Sequence, residues 1–321
     1  MTDRPMADPA GILAAAHQDR VFSGAAWAIG RGSGPVEQGT LGTLSWGGPP
    51  VTADTLWDLA SVTKPIVGLA VLALVEAGEL SLDETVGAHL PDYRDTDKAD
   101  RTIAQLLTHT AGIPGQQPLY REHQTRETLL AALHDLPVTR PAGTAVEYSS
   151  PGFMLLGMIA EHASGLSLDR LVHTCVTRPA GMPATGFCPL QPVRETAAAT
   201  EDCPWRGRIV QGTVHDENAE VLGGVAGHAG LFGTVGDLAR LGEMLCRGGQ
   251  GPGGRVLADR TLVVMTEPRT DALNLRRTLG WQGRDRTGCS GGDLLTPAAY
   301  GHTGFTGTSI WVDPGLDLFL V

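Results

Sequence analysis

Apolar and polar positions change period several times along this chain. Near the start, Ala25-Ala26-Trp27-Ala28-Ile29-Gly30 and Val36-Glu37-Gln38-Gly39-Thr40-Leu41-Gly42 flank the turn signal Arg31-Gly32-Ser33-Gly34-Pro35, which predicts a β-hairpin. After Leu56-Trp57-Asp58 comes an apolar run that predicts a helix over Ser61–Ala77, with Gly78 just past its end. Ser81-Leu82-Asp83-Glu84 has capping-box spacing and predicts another helix start. The middle reads as helical. Thr102–His109 and Arg126–Asp135 are amphipathic, Ser150-Pro151 predicts an N-cap opening a helix over Gly152–His162, and Ser167 opens a shorter one. Residues 180–230 lack periodicity and are rich in Gly and Pro, so they read as long loops. Thr234-Val235-Gly236-Asp237 starts a helix over Leu238–Cys246. The strand-like runs Ser309–Val312 and Leu316–Val321 follow, joined by the turn Asp313-Pro314-Gly315. Strands at both ends with helices between predict an α/β (α+β) domain over 1–321. Its antiparallel sheet is built from both chain ends, as a subdomain of 1–78 and 228–321, with an all-helical subdomain of 79–227 inserted.

Composition narrows the function classes. A formal net charge of −11 leaves no basic patch to neutralise phosphates, which argues against nucleic acid and equally against anionic membranes. The longest wholly apolar stretch, Ile66–Val75, is short for a bilayer span. The five cysteines are scattered without a Cys-x-x-Cys pair and read as reduced thiols. Met1-Thr2-Asp3-Arg4-Pro5 has no apolar secretory region, so the expectation is a cytoplasmic protein.

Only two of the 24 Lys and Arg residues are lysine, Lys64 and Lys98. A lysine kept in so arginine-rich a chain points to a task needing a removable proton, which arginine does not supply. Lys64 follows Ser61 by three positions at a helix start, so amine and hydroxyl share one face, a turn apart. A charged first-turn lysine would oppose the helix dipole, so a solvated cation fits poorly there. A serine nucleophile with an amine base fits better. Tyr148-Ser149-Ser150, just ahead of a helix, offers a phenol able to relay a proton. The blander reading has Tyr148 packing and Ser150 capping. His302-Thr303-Gly304-Phe305-Thr306-Gly307 precedes the strand over Ser309–Val312. Small residues there let a substrate lie beside the backbone, and His302 could bind a carboxylate or join the proton network.

Taken together and in this order, Ser61-x-x-Lys64, Tyr148-Ser149-Ser150 and His302-Thr303-Gly304 resemble the three motifs of the serine β-lactamase and penicillin-binding-protein superfamily. The tyrosine favours the branch of class C β-lactamases, D-peptidases and esterases. Leu106–Pro114 and the Gly230–Thr234 stretch followed by Asp237–Arg240 extend the likeness over nearly the whole chain. The resemblance implies Ser61 as the nucleophile that forms an acyl-enzyme, with Lys64 and Tyr148 sharing the base role. It implies an oxyanion hole from the N–H groups of Ser61 and Phe305, His302 in acyl-donor binding or the relay, and Ser150, Thr303 and Gly304 at the substrate. Three departures matter. Ser150 replaces an expected Asn, His302 replaces a lysine, and the family's last strand and C-terminal helix would extend past Val321. The two substitutions weaken a β-lactamase assignment. The implied activity is acyl transfer from a small ester or amide to water or an amine, with no cofactor. The alternatives are a D-Ala-D-Ala-type carboxypeptidase or β-lactamase, and a non-catalytic sensor. Val214-His215-Asp216-Glu217-Asn218-Ala219 with Gly227-His228 invites a metal reading, but the spacing fits no zinc helix, and a polar loop network is the expectation.

Overall fold

The computed structural model describes residues 8–321, and among these both ends of the chain meet in one six-stranded antiparallel sheet. Its strand order is Gln282–Gly283, Tyr300–Thr303, Ser309–Asp313, Leu318–Leu320, Gly24–Arg31, Gly34–Gly42. The hairpin read from the sequence pairs from Gly24↔Gly42 through Arg31↔Gly34, with a register shift at Ile29/Gly30. The two ends join where Ile29 faces Leu320 and Gly30 faces Phe319. Helix Val235–Cys246 packs across the strands on both sides of that junction. Phe319, fully buried, fills the space left by two missing side chains: a Cβ on Gly242 would stand 2.6 Å from its ring, and one on Gly30 would collide with it.

The apolar run becomes a 3-10 turn, Ala60–Val62, continued by helix Thr63–Ala77. Its residues are buried on nearly every face, as expected of a helix apolar all round that sits inside a protein. Ala60–Ala77 is a longer apolar segment than Ile66–Val75 and passes a length test for a bilayer span, but other helices cover it. It ends at Gly78 in the left-handed region (φ +77), as anticipated. Helix Ser150–Ser164 packs against it. One hydrophobic cluster runs from Ala28 through both helices to Phe319.

Local readings differ from the structure in three places. Ser81–Glu84 is a turn, in which the Glu84 carboxylate accepts from the Ser81 N–H at 2.9 Å, and the helix begins only at Val86. Only half of the capping exchange forms, since Ser81 Oγ accepts from the Asp83 N–H at 3.4 Å and not from Glu84, and the helix that follows is a single turn. The N-cap of helix Ser150–Ser164 is Ser149, not Ser150, with its Oγ accepting from the Gly152 N–H at 3.0 Å. Within 180–230, strand Gly186–Phe187 pairs with Leu231–Gly233, Ala199–Cys203 pairs with Arg208–Gln211, and Glu217–Val221 is helical. These elements are too short to leave a readable period.

Candidate active site

The site grows from the turn before the central helix. Ala60 has φ +45, a conformation that costs a non-glycine residue about 1–2 kcal/mol. It is held from several directions. Asp58 Oδ1 accepts from the Ala60 N–H at 2.7 Å, and the Leu59 N–H donates to Leu231 O at 2.9 Å. Thr306 and Thr308 donate their hydroxyls to the carbonyls of Asp58 and Leu59, at 2.7 and 3.0 Å. These contacts clamp the 304–308 turn against the nucleophile turn. Gly304 is required for that approach, because a Cβ there would stand 2.6 Å from Leu59 O. The N–H of Ser61 is among the orphan donors at a helix start, and neither it nor the N–H of Phe305 is committed to a partner among the described residues.

Lys64, fully buried, places Nζ 3.0 Å from Ser61 Oγ and 3.0 Å from His228 O. Among the described residues no carboxylate contacts it. The other lysine makes the contrast: Lys98 is also buried, but its Nζ pairs with Asp97 Oδ1 at 3.1 Å and His134 O at 2.8 Å. Scarcity alone therefore marked two buried lysines. What separates them is the partner set: Lys64 Nζ meets a hydroxyl and a carbonyl, Lys98 Nζ a carboxylate and a carbonyl. The carbonyl that steadies Lys64 is itself seated. Gly227 and Gly157 let the 227–228 loop lie directly on helix Ser150–Ser164, and a Cβ on Gly227 would strike Phe153 O. The His228 ring donates from Nε2 to Asp216 Oδ1 at 2.8 Å.

Tyr148 stands beside Lys64, with Nζ 4.8 Å from its ring centroid, and its buried hydroxyl has no hydrogen-bond partner among the described residues. The relay atom read from sequence is thus adjacent but uncommitted. The rings of His109 and His302 lie 4.7 and 5.9 Å from the Tyr148 ring. Burial, aided by Lys64, pushes His302 down to about 3, so it is neutral near pH 7. Its Nδ1 lies 2.8 Å from Thr303 O, which only accepts, so Nδ1 carries the proton and Nε2 presents a lone pair. Of the two roles suggested for His302, an acceptor in the proton network fits this tautomer, and donation to a carboxylate does not.

Asp58 and His109 were not singled out for this site from the sequence, whereas Asp216 and His228 belong to the segment expected to form a polar loop network, and they bond to each other there. Asp58 Oδ2 also accepts from the His215 N–H at 2.5 Å, and burial, with repulsion from Asp216, pushes its carboxyl up to about 6 despite both amide bonds. A lone acid inside Leu56-Trp57-Asp58-Leu59-Ala60 was the available signal. His109 accepts from the Ser149 N–H at Nδ1 (3.0 Å), and burial keeps it far below the ordinary histidine range.

In front of Ser61 opens a cavity of about 280 Å³, lined by Ser150, Phe305, the 116–120 loop and residues 215–218. Ser150, released from capping, faces this space; Thr303 is exposed at the end of its strand. The His215–His228 segment forms a polar network here. Asp216 caps the helix Glu217–Val221 and binds His228, while Asn218 ties Tyr120 N and Gln117 O of the facing loop at 2.9 and 2.7 Å. The trio whose donor atoms come within 4.8 Å of one another is instead Glu201, Cys203 and Glu217, and there Arg206 already donates toward Cys203 Sγ at 3.7 Å.

An antiparallel sheet from both chain ends, with its Tyr300–Thr303 strand against the turn that opens a buried helix with a serine and a lysine in contact, defines a serine hydrolase of mixed α/β fold. Comparison with known proteins agrees: the Beta-lactamase family model matches residues 10–321, and the chain belongs to that family. A "Putative D-alanyl-D-alanine carboxypeptidase" of Salmonella agona (strain SL483) is 32% identical, covering 82% of this chain and 67% of its own. Among solved structures, "EstCE1, a hydrolase with promiscuous acyltransferase activity" is similar over 97% of this chain and 91% of its own (TM-score 0.79, 21% identity). A class C beta lactamase from Rhodobacter sphaeroides is similar over 97% and 92% (TM-score 0.77, 21% identity). The two solved structures share the fold.

Proposed function

We propose that this enzyme transfers an acyl group from a small-molecule ester or amide through an ester on Ser61. The observation that carries this reading is the 3.0 Å contact between Ser61 Oγ and a buried Lys64 that no carboxylate among the described residues holds. In this mechanism Lys64 accepts the Oγ proton as Oγ attacks the carbonyl carbon. The free N–H groups of Ser61 and Phe305 take the developing oxyanion; losing one such donor costs about 10²–10³ in rate. Lys64 passes its proton through the uncommitted Tyr148 hydroxyl to the departing alcohol or amine, with His302 Nε2 as a further acceptor on the same network. Water or an amine then attacks the acyl-enzyme, and the same groups act in reverse.

Labelling with a fluorophosphonate and turnover of a short-chain chromogenic ester test this. Both are expected in the intact protein and are expected to vanish in Ser61→Ala. Full activity in Ser61→Ala would remove Ser61 from the mechanism, and no labelling or turnover at all would leave a non-catalytic binding role. A second reading, a D-Ala-D-Ala-type carboxypeptidase, draws on the name of the Salmonella relative. Release of D-alanine from a D-Ala-D-Ala peptide would favour it over the esterase reading.

A further inference from the structure

The cavity before Ser61 is chemically lopsided. No lysine or arginine lines it, and two carboxylates, Asp216 and Glu217, do. Asp216 is firmly ionised: burial acts against its charge, but His228 and their hydrogen bond outweigh that and hold its carboxyl well below the usual range. Its Oδ1 serves His228 Nε2 and the Ala219 N–H, both at 2.8 Å, whereas Oδ2 has no partner among the described residues, and 28% of the side chain faces open space. Glu217 makes no hydrogen bond or ion pair among the described residues, although the exposed Arg121 on the rim feels its charge. Glu201 also crowds its carboxylate, their donor atoms lying within 4.8 Å. Two aromatic faces complete the wall. Phe305 is 76% exposed with its ring 5.2 Å from that of His215, while Tyr120 meets Trp205 edge-on at 5.0 Å and already carries the Arg121 guanidinium 5.9 Å over its ring.

A carboxylate oxygen left open on Asp216, the unbonded carboxylate of Glu217, an exposed aromatic face and a walled space beside a nucleophile are what receive an ammonium group. The carboxylates count here because they share one cavity with Ser61. We propose that the substrate of this site carries a protonated amine, held by Asp216 and Glu217, and that Glu217 determines this specificity. The inference rests on the reading of Ser61 as nucleophile. The amine belongs to the acyl half or to the leaving half of the substrate, and two arms of one experiment separate these.

In the first arm, 4-nitrophenyl pentanoate is compared with 4-nitrophenyl 4-aminobutanoate, in which an ammonium replaces the terminal methyl. In the second, 4-ethylphenyl acetate is compared with 4-(aminomethyl)phenyl acetate. A preference of about tenfold in kcat/KM for the cationic member is expected in one arm, the size of one good charge-assisted contact. Glu217→Gln is expected to bring that ratio near one, chiefly by lowering kcat/KM for the cationic member, and added salt is expected to shrink it in the parent enzyme. Equal kcat/KM within both pairs, or a preference that survives Glu217→Gln, overturns the proposal. Ser61→Ala keeps the two readings apart. Neutral-ester turnover that persists in that variant sinks the nucleophile assignment, while Ser61-dependent turnover without cation preference sinks only this one.

Discussion

Asp58 and Lys64 flank the turn that carries Ser61 from opposite sides. In the proposed mechanism Lys64 takes the Oγ proton, while Asp58 must stay ionised to accept from the N–H groups of both Ala60 and His215. Because burial raises the Asp58 carboxyl to about 6 from 3.8, the folded protein takes up this proton more readily than the unfolded chain. The sign follows: the group's contribution to stability is fully present below 3.8 and is lost as pH rises through about 6. Activity should run the other way. As pH falls through about 6, protonated Asp58 gives up an amide contact and the strained Ala60 turn loosens, so kcat/KM is expected to drop without a matching loss of Tm. Asp58→Asn fixes the neutral state and is expected to lose about tenfold in kcat/KM at pH 8, flattening that acid limb; an unchanged limb would refute the argument. The lysines give a second test. Lys64→Arg keeps the charge but not the labile proton and is expected to cost about 10³-fold or more in kcat. Lys98→Arg should alter Tm and spare chemistry, since Lys98 holds only Asp97 and the His134 carbonyl. Lys64 was legible because its sequence neighbour is its spatial partner. Asp58 was not, because its partner His215 lies 157 positions away.

At the scale of elements, the active site depends on loops seated by backbone contact. The His228 carbonyl reaches Lys64 only because the 227–228 loop lies on helix Ser150–Ser164 at Gly157 and Gly227. Gly227→Ala would push the loop off Phe153 O. It is expected to lower kcat by about tenfold or more, with a smaller effect on KM, as Lys64 loses its second anchor. Circular dichroism identical to the parent, with full activity, would show that the carbonyl does not matter. The sequence made helix Ser150–Ser164 plain through its proline and apolar run, but it offered Ser150 as cap where Ser149 does that work. Two adjacent serines are equivalent to a pattern and distinct to a backbone. Similarly, the two-residue strand Gly186–Phe187 has no period to read and exists because Leu231–Gly233 pairs with it.

Across the whole molecule, Ser61 comes from the first quarter of the chain, Tyr148 from the middle and His302 to Phe305 from near the end, so the site exists only when both ends are joined in the sheet. The strand-like runs at both chain ends pointed to this sheet, but the sequence did not reveal what locks the junction. That is Phe319, fully buried over Gly30 and Gly242. Phe319→Ala should cost about 3–5 kcal/mol from lost burial and the cavity left behind. The damage would also travel. The strand Leu318–Leu320 pairs with Ser309–Asp313, which pairs with the His302 strand, and the Thr306 and Thr308 clamps hang from that edge. Leu129, equally buried in helix Arg126–Asp135 of the middle segment, provides the comparison. Leu129→Ala is expected to cost about 2–5 kcal/mol and to lower Tm similarly. Measured well below both transitions, specific activity should fall in Phe319→Ala and persist in Leu129→Ala. Equal activity in the two variants at matched Tm would mean that the sheet junction supports the fold without shaping the site.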